Sequence, residues 1–240
     1  MKAALETRNL IKRFGGLMAT DNVTFRLEPG ARHALIGPNG AGKTTLINLL
    51  TGVLVPTSGT VLLEGKPIAP QTTKAAKQLG IAYLSENRRA TIFPRHEIFK
   101  NITLAHLDEI VGSFIRQPRE IAIATDLVKR TGVRPPSPTL AAGNLSGGNQ
   151  QKVVLAKWLT VQPKVLILNE PTRGMDVGAK EDVIRIVKSL RDRGVAILVL
   201  STEPETILTL ADRVTVIKKG MVARQFAAGH IEKADLLAAA

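Results

Sequence analysis

Apolar and polar side chains alternate from Leu5 to Phe14 and again from Asp21 to Leu27, most clearly in Val23-Thr24-Phe25-Arg26-Leu27. A period of two predicts strands with one covered face, and Gly15-Gly16 between the runs predicts the turn that separates them. Ala34-Leu35-Ile36 is a short unbroken apolar run, and Leu46-Ile47-Asn48-Leu49-Leu50 continues as the start of a helix. Pro56-Thr57-Ser58-Gly59 followed by Thr60-Val61-Leu62-Leu63 reads as a turn and a strand. Gly80-Ile81-Ala82-Tyr83-Leu84 reads as one more strand, ending at Ser85-Glu86-Asn87-Arg88-Arg89.

From about Pro94 to Lys157 the spacing becomes helical, with apolar residues at Ile98, Ile102 and Ala105, then at Ile121, Ala124, Leu127 and Val128. Pro135, Pro136 and Pro138 interrupt it, and the last helix starts near Leu145-Ser146-Gly147-Gly148-Asn149-Gln150-Gln151-Lys152. Ser146 can cap that helix, and two glycines leave its first N–H groups uncovered, an end able to bind an anion. Lys164-Val165-Leu166-Ile167-Leu168-Asn169-Glu170 is apolar until its end, as a central parallel strand should be, and ligands of such sheets sit at the strands' carboxyl ends. A helix from about Gly178 to Arg193 comes next, with Val183, Ile184, Val187 and Leu190 on one face. Val195 to Leu200 predicts a further strand before Ser201-Thr202-Glu203-Pro204-Glu205, and Val214 to Ile217 with Met221 to Ala223 predicts a hairpin around Lys219-Gly220.

Gly37-Pro38-Asn39-Gly40-Ala41-Gly42-Lys43-Thr44-Thr45 stands between the predicted strand at Ala34-Ile36 and the predicted helix, which is the setting a P-loop requires. Gly37, Gly40 and Gly42 let successive N–H groups turn inward, so a polyphosphate can sit on them and on the positive end of the helix. Lys43 would reach the β- and γ-phosphates and Thr44 would offer its hydroxyl to Mg²⁺. A nucleotide is the implied ligand. The expected class is therefore α/β: a P-loop NTPase core of mostly parallel sheet, with an N-terminal antiparallel β subdomain and an inserted α-helical subdomain at residues 94–157.

With 240 residues the chain can bury the core of one large domain, and with no cysteine it excludes disulfides, thiolate metal sites and cysteine nucleophiles. Met1-Lys2-Ala3-Ala4-Leu5-Glu6 lacks the apolar core of a secretion signal, and no run approaches the roughly 20 apolar residues of a membrane span. The formal net charge of +13 suits acidic partners, yet the basic residues are scattered, in clusters no longer than Arg88-Arg89 and Lys218-Lys219. Aromatic residues make up only 3%, so the stacking platforms of a single-strand nucleic-acid surface are scarce, and a solvated basic face beside an anionic membrane accounts for the charge at least as well. Phe14, ahead of the P-loop, could stack on an adenine ring or pack in the core.

The P-loop, Leu145-Ser146-Gly147-Gly148-Asn149-Gln150 and Val165-Leu166-Ile167-Leu168-Asn169-Glu170-Pro171-Thr172 follow one another across one domain's length. Together they resemble the ATP-binding subunit of an ABC transporter, over nearly the whole chain. The resemblance implies one ABC ATPase domain over residues 1–240, in a head-to-tail dimer that sandwiches ATP between one P-loop and the partner's signature helix at Ser146, Gly147 and Gly148. Glu170 would orient or deprotonate the attacking water, Lys43 and Mg²⁺ would stabilise the charge, and Asp176 would lie in the D-loop between the two sites. It further implies a membrane permease docked on the helical insertion and the groove near Glu86, a second ATPase subunit as homo- or heterodimer, and, indirectly, a periplasmic or extracellular solute-binding protein. No nucleic acid is expected, and the location implied is cytoplasmic, peripheral on the inner face of the cell membrane.

Residues from Leu10 to Gly65, with Phe14-Gly15-Gly16, are similar to the ATPases of branched-chain amino acid importers. From Leu145 onward, Gly147 to Lys152, Pro171-Thr172-Arg173-Gly174 and Asp176 to Lys180 resemble the second ATPase half of ribose-type sugar importers. Those importers usually carry both halves on one chain, so a sister subunit is expected. Sugar is the first expectation for the solute, ahead of a branched-chain amino acid.

Three positions depart from the family pattern: Asn169 replaces the Walker B aspartate, Glu86 the Q-loop glutamine and Thr202 the switch histidine. Asn169 can still accept a hydrogen bond from metal-bound water but brings no charge, and Glu86 would restore one carboxylate to an Mg²⁺ site shared with Thr44. Drift in a site that no longer hydrolyses is the alternative. Threonine is too short to bridge the γ-phosphate and a partner, so a slow own site in an asymmetric dimer is expected. Two other functions remain open: a regulatory subunit that binds nucleotide with little hydrolysis, and a non-transport ABC ATPase acting on DNA or ribosomes. For the latter neither a coiled coil nor a linker to a second domain is present.

Overall fold

The computed structural model describes residues 2–87, 91–111, 116–227, 231, 232, 234, 236 and 238; Arg88 and Arg89 and most of the alanine-rich end lie outside them. The chain forms two compact units, one of Met1–Tyr83, Lys164–Glu170 and Val187–Ala240, the other of Leu84–Pro163 and Pro171–Ile186.

The first unit holds two sheets. β1 (Leu5–Phe14) and β2 (Leu17–Leu27) pair antiparallel through the predicted turn, and β4 (Ser58–Leu63) and β5 (Lys66–Ile68) complete an antiparallel sheet of order β2-β1-β4-β5. Leu5 faces Leu27 on one side and Leu63 on the other, so the apolar alternation of three strands falls in one layer. The larger sheet has the order β10-β9-β3-β8-β7-β6, built from β3 (Arg32–Ile36), β6 (Ile81–Leu84), β7 (Val165–Asn169), β8 (Ala196–Leu200), β9 (Arg213–Lys218) and β10 (Met221–Phe226). β3 is parallel to β8 and β9, and β7 is parallel to β8; the hairpin β9–β10 is antiparallel. Every residue of β3, β7 and β8 is buried, as expected of strands covered on both faces, and their apolar stretches Ala34 to Ile36, Val165 to Leu168 and Ala196 to Leu200 fit that place. α1 (Lys43–Leu50) buries Leu46, Ile47, Leu49 and Leu50 in the main core, alongside Leu35, Ile167 and Leu198. α2 (Thr73–Gln78) and α8 (Pro204–Leu210) are short connectors of the same unit.

The second unit is helical: α3 (Ile98–Thr103), α4 (Leu107–Val111), α5 (Gln117–Thr131), α6 (Gly147–Lys157) and the first part of α7 (Val177–Asp192). Of the residues that the helical spacing marks, Ile98, Ile102, Ala124, Leu127 and Val128 are buried, and Ala105 and Ile121 are half-buried. Lys152 on α6 ties three pieces together, donating to the carboxylate of Asp182 and, at 3.0 Å, to the carbonyl of Gly132 past the end of α5. Asp182 also faces Arg185 at 3.0 Å. No helix among the described residues is long and apolar enough to cross a membrane.

Two buried polar groups brace the large sheet. Arg32 grips Asp212 through Nη2 at 2.6 Å and Nε at 3.2 Å; burial works against the Asp212 charge, but the Arg32 hydrogen bonds hold its pKa below the usual carboxylate value. His33, on β3, meets the Thr215 hydroxyl at 2.7 Å and the Phe25 ring edge-on, and burial pushes its pKa down to about 4. The folded state therefore keeps this imidazole neutral, and the stability it carries is full above the ordinary value of 6.5 and lost as pH falls from there toward 4. Between pH 7.5 and pH 5 the wild type should lose roughly 2 kcal/mol from this group alone. Urea unfolding at the two pH values checks this: a His33→Gln chain should show a drop smaller by about that amount.

Candidate functional site

The glycine loop that follows β3 is a product of steric need. Gly37 has φ 150° and a Cβ there would lie 2.0 Å from the carbonyl oxygen of Ile217; Gly42 has φ 100° and its Cβ would lie 2.4 Å from that of Ala19. Both positions therefore demand glycine. Gly40, with φ 78°, has nothing within 4 Å of the Cβ position, so the outer side of the loop is open to a ligand. Inside the loop Ala41 donates to Pro38 at 3.1 Å, and its own carbonyl receives the N–H of Gly220 at 2.9 Å, which pins the loop to the turn after β9. Asn39, Gly40 and Thr44 are exposed and Thr45 half-buried.

Gly42 is the N-cap of α1 and provides no side-chain acceptor, so the first-turn N–H groups from Lys43 to Thr45 are left to an external anion. Lys43 folds back over the loop, its Nζ 2.6 Å from the carbonyl of Gly37 and 3.0 Å from that of Pro38. Burial lowers its pKa, and the charge of Glu170 pulls the other way. This cradle, with open amides, a lysine and a side no side chain fills, fits a polyphosphate.

The carboxyl end of β7 brings the next group. Asn169 and Glu170 are each 8% exposed, and Glu170 adopts φ 49°, a left-handed backbone that is uncommon for its type. Its N–H bonds the Leu200 carbonyl at 2.8 Å. Both carboxylate oxygens have donors: Oε1 takes the backbone N–H of Thr202 at 2.7 Å and Oε2 the hydroxyl of Ser201 at 3.1 Å. The amide Nδ2 of Asn169 points to the Tyr83 hydroxyl at 3.4 Å, leaving Oδ1 as its acceptor atom. Thr202 thus serves through its main chain, while its side chain is exposed.

No sequence motif singles out Ser201 or Tyr83. Ser201 directly follows β8 and Tyr83 is on β6, the two neighbours of β7 in the sheet; position at a strand's carboxyl end is the one signal available for either.

Phe14 is 44% exposed, outside the core, with Lys12 Nζ 5.2 Å from its ring centre. The first unit therefore carries Phe14, Gly37 to Thr45, Asn169, Glu170 and Thr202, and the second carries Glu86, Ser146, Gly147, Gly148 and Asp176. Glu86 lies 3.7 Å from Arg173, both side chains more than half exposed. Ser146 caps α6 as its sequence suggested, accepting from the N–H of Asn149 at 3.4 Å and from its side-chain amide at 2.9 Å. A Cβ on Gly148 would come 2.8 Å from that of Ala179, so this glycine permits the close approach of α6 to the start of α7. Asp176 accepts the N–H of Ala179 at 2.8 Å and so holds that start.

A profile of the ABC transporter family matches residues 20–173. The ribose import ATP-binding protein of Bacillus licheniformis is 41% identical over 201 residues, which is 83% of this chain and 41% of that protein. A ribose import ATP-binding protein of Escherichia coli O157:H7 is 34% identical over 238 residues, 98% of this chain and 46% of its own length. The chain thus spans less than half the length of these curated relatives. Among solved structures, a nucleotide-free ATP-binding cassette from an ABC transporter superposes with a TM-score of 0.83 at 24% identity, over 99% of this chain and 96% of that one. A dimeric post-hydrolysis cassette bound to ADP and Pi gives 0.79 at 21%, over 93% and 98%. These structures show that the fold is that of an ABC cassette.

Alanine at Gly42 should be costlier than alanine at Gly40. Both meet the left-handed penalty of about 1–2 kcal/mol, but only Gly42→Ala must also push back a main-chain carbonyl. Thermal unfolding should rank Gly42→Ala below Gly40→Ala, and a fluorescent ATP analogue should bind Gly42→Ala at least about tenfold more weakly than wild type, a loss of roughly 1.4 kcal/mol.

Proposed function

Because the chain belongs to the ABC transporter family, we propose that it is the ATP-binding, energy-coupling element of an importer for a small solute, with sugar the favoured class. The observation that carries this reading is the joint presence, in one unit, of the phosphate cradle at Gly37 to Thr45 and the held carboxylate of Glu170. Sugar is favoured by the ribose import relatives. Branched-chain amino acid import rests only on the residues between Leu10 and Gly65.

In this reading the amides of α1 and Lys43 bind the phosphates, Lys43 exchanging two loop carbonyls for charged oxygens, a stronger class of hydrogen bond. Glu170 orients the attacking water and accepts its proton while Lys43 offsets the charge that grows on the γ-phosphate oxygens. The hydroxyl of Thr44 and Oδ1 of Asn169 are oxygen donors of the kind Mg²⁺ prefers, both neutral, so the balancing charge would come from the phosphates and, we propose, from Glu86. Mg²⁺ held there would neutralise phosphate charge. Among the described residues no group of three or more His, Cys, Asp or Glu could hold a metal ion. Phe14 is proposed to stack on the adenine, and Ser146, Gly147, Gly148 and Asp176 to complete a site on a second ATPase subunit, identical or not. A permease and an extracytoplasmic solute-binding protein are the remaining proposed partners, with the chain peripheral on the cytoplasmic face of the membrane.

A regulatory role with little hydrolysis is the second reading, favoured by Asn169 and by the lack of a side-chain contribution from Thr202. Co-purification with a permease, followed by ATPase assay with and without it, separates the two. Stimulation that disappears in Glu170→Gln supports energy coupling, and nucleotide binding with no stimulation supports regulation. The isolated chain should turn over slowly, and brisk turnover abolished by Glu170→Gln would count against an asymmetric pair. Glu86→Gln should weaken the Mg²⁺-dependent part of ATP binding about tenfold, or roughly 1.4 kcal/mol; unchanged Mg²⁺ dependence removes Glu86 from the metal site.

A further inference from the structure

A hydroxyl group has one proton to give, and at Ser201 the surroundings decide where it goes. The Ser201 oxygen accepts the N–H of Glu203 at 3.1 Å, so its proton is turned toward Oε2 of Glu170, also at 3.1 Å. The next amide, of Thr202, takes Oε1 at 2.7 Å. One short turn thus supplies a separate donor to each oxygen of the same carboxylate.

The turn is itself anchored at both ends. Before it, β8 is fixed between β3 and β7, with Leu200 in register with Asn169. After it, Glu203 opens α8, its carbonyl receiving the N–H of Ile207 at 3.2 Å and its carboxylate the hydroxyl of Thr206 at 2.9 Å. Ser201 is 4% exposed, which keeps water from competing for its proton. The Glu170 main chain is held by its bond to Leu200, so backbone and side chain are fixed from the same strand. With both oxygens engaged the carboxylate cannot rotate freely, yet each oxygen retains a lone pair for water. That is the geometry a base needs if its orientation is to be set before water arrives.

We propose that Ser201 is a positioning residue for hydrolysis: together with the Thr202 amide it aligns the Glu170 carboxylate toward the attacking water. The inference rests on the reading of Glu170 as the base, and the test separates the two. Single-turnover hydrolysis of γ-labelled ATP, with the full chain in excess over nucleotide, measures even a slow step. Ser201→Ala should lower that rate about tenfold, the scale of one lost hydrogen bond to a charged group. Binding of a fluorescent ATP analogue should stay within about twofold, because the Ser201 hydroxyl bonds Glu170 and Glu203 and not the loop at Gly37 to Thr45. Ser201→Thr, which keeps the hydroxyl, should recover most of the rate. Ser201→Cys, similar in size but a weak donor, should behave like Ser201→Ala and serves where the alanine chain does not fold. Hydrolysis lost in Glu170→Gln but retained in Ser201→Ala overturns the role of Ser201 alone. No hydrolysis by the wild type, or hydrolysis indifferent to Glu170→Gln, overturns the reading of Glu170 and this inference with it. A Ser201→Ala chain that loses ATP affinity in proportion to rate shows a structural role only and likewise overturns it.

Discussion

Parallel pairing of β3, β7 and β8 is the constraint on which the functional end of the first unit depends. Strands that run the same way end at the same edge of a sheet, and the segments that leave them are thereby gathered without any long-range recognition between side chains. After β3 comes the glycine loop, after β7 Glu170, after β8 Ser201 and Thr202. The burial of all three strands holds the edge still: none has a polar face whose solvation could favour another register, and a shift by one residue would separate Leu200 from Asn169. The antiparallel sheet and the hairpin at β9–β10 add local support, most directly through Gly220, which bonds the loop at Ala41.

That dependence explains what could be read in the sequence. The glycine loop was legible because its requirements are local: a strand end, residues without Cβ where a main-chain carbonyl lies within 2.4 Å of the Cβ position, and a helix start. Asn169 and Glu170 were legible because an apolar run that ends in polar residues marks a strand's carboxyl end. Ser201 was not, since its part lies in a bond to a residue 31 positions away and a serine after a strand is otherwise ordinary. At Thr202 the contact with Glu170 comes from the main-chain amide, which residue type does not reveal. Phe14 could have gone either into the core or to a ligand face, and only its exposure removed the first option.

The helical unit shows the same division. Ile98, Ile102, Ala124, Leu127 and Val128 followed from spacing, and the cap at Ser146 followed from capping chemistry, which concerns neighbouring residues. The clamp of Lys152 on Asp182 and the Gly132 carbonyl did not, because it joins parts of three helices that sequence patterns treat one at a time. Such a clamp also has a cost. A lysine only 4% exposed must be desolvated, and it is tolerable because a carboxylate and a helix-end carbonyl both meet it.

Charge at the end of the parallel strands is the last link between fold and chemistry. With Asn169 neutral, Glu170 is the one acidic side chain in the stretch that closes β7, and it is the charge that works against the effect of burial on Lys43. Lys43 meanwhile donates its hydrogen bonds to neutral carbonyls of its own loop, which are weaker acceptors than a phosphate. A lysine so placed favours an incoming anion, and the same arrival separates it from the carbonyls that restrain the loop. Glu170 has the opposite situation: its acceptor oxygens already hold donors from Ser201 and Thr202, so it gains little from moving. An anion arriving at this edge would therefore be accommodated by Lys43 and the loop, while the Glu170 carboxylate is set by the sheet.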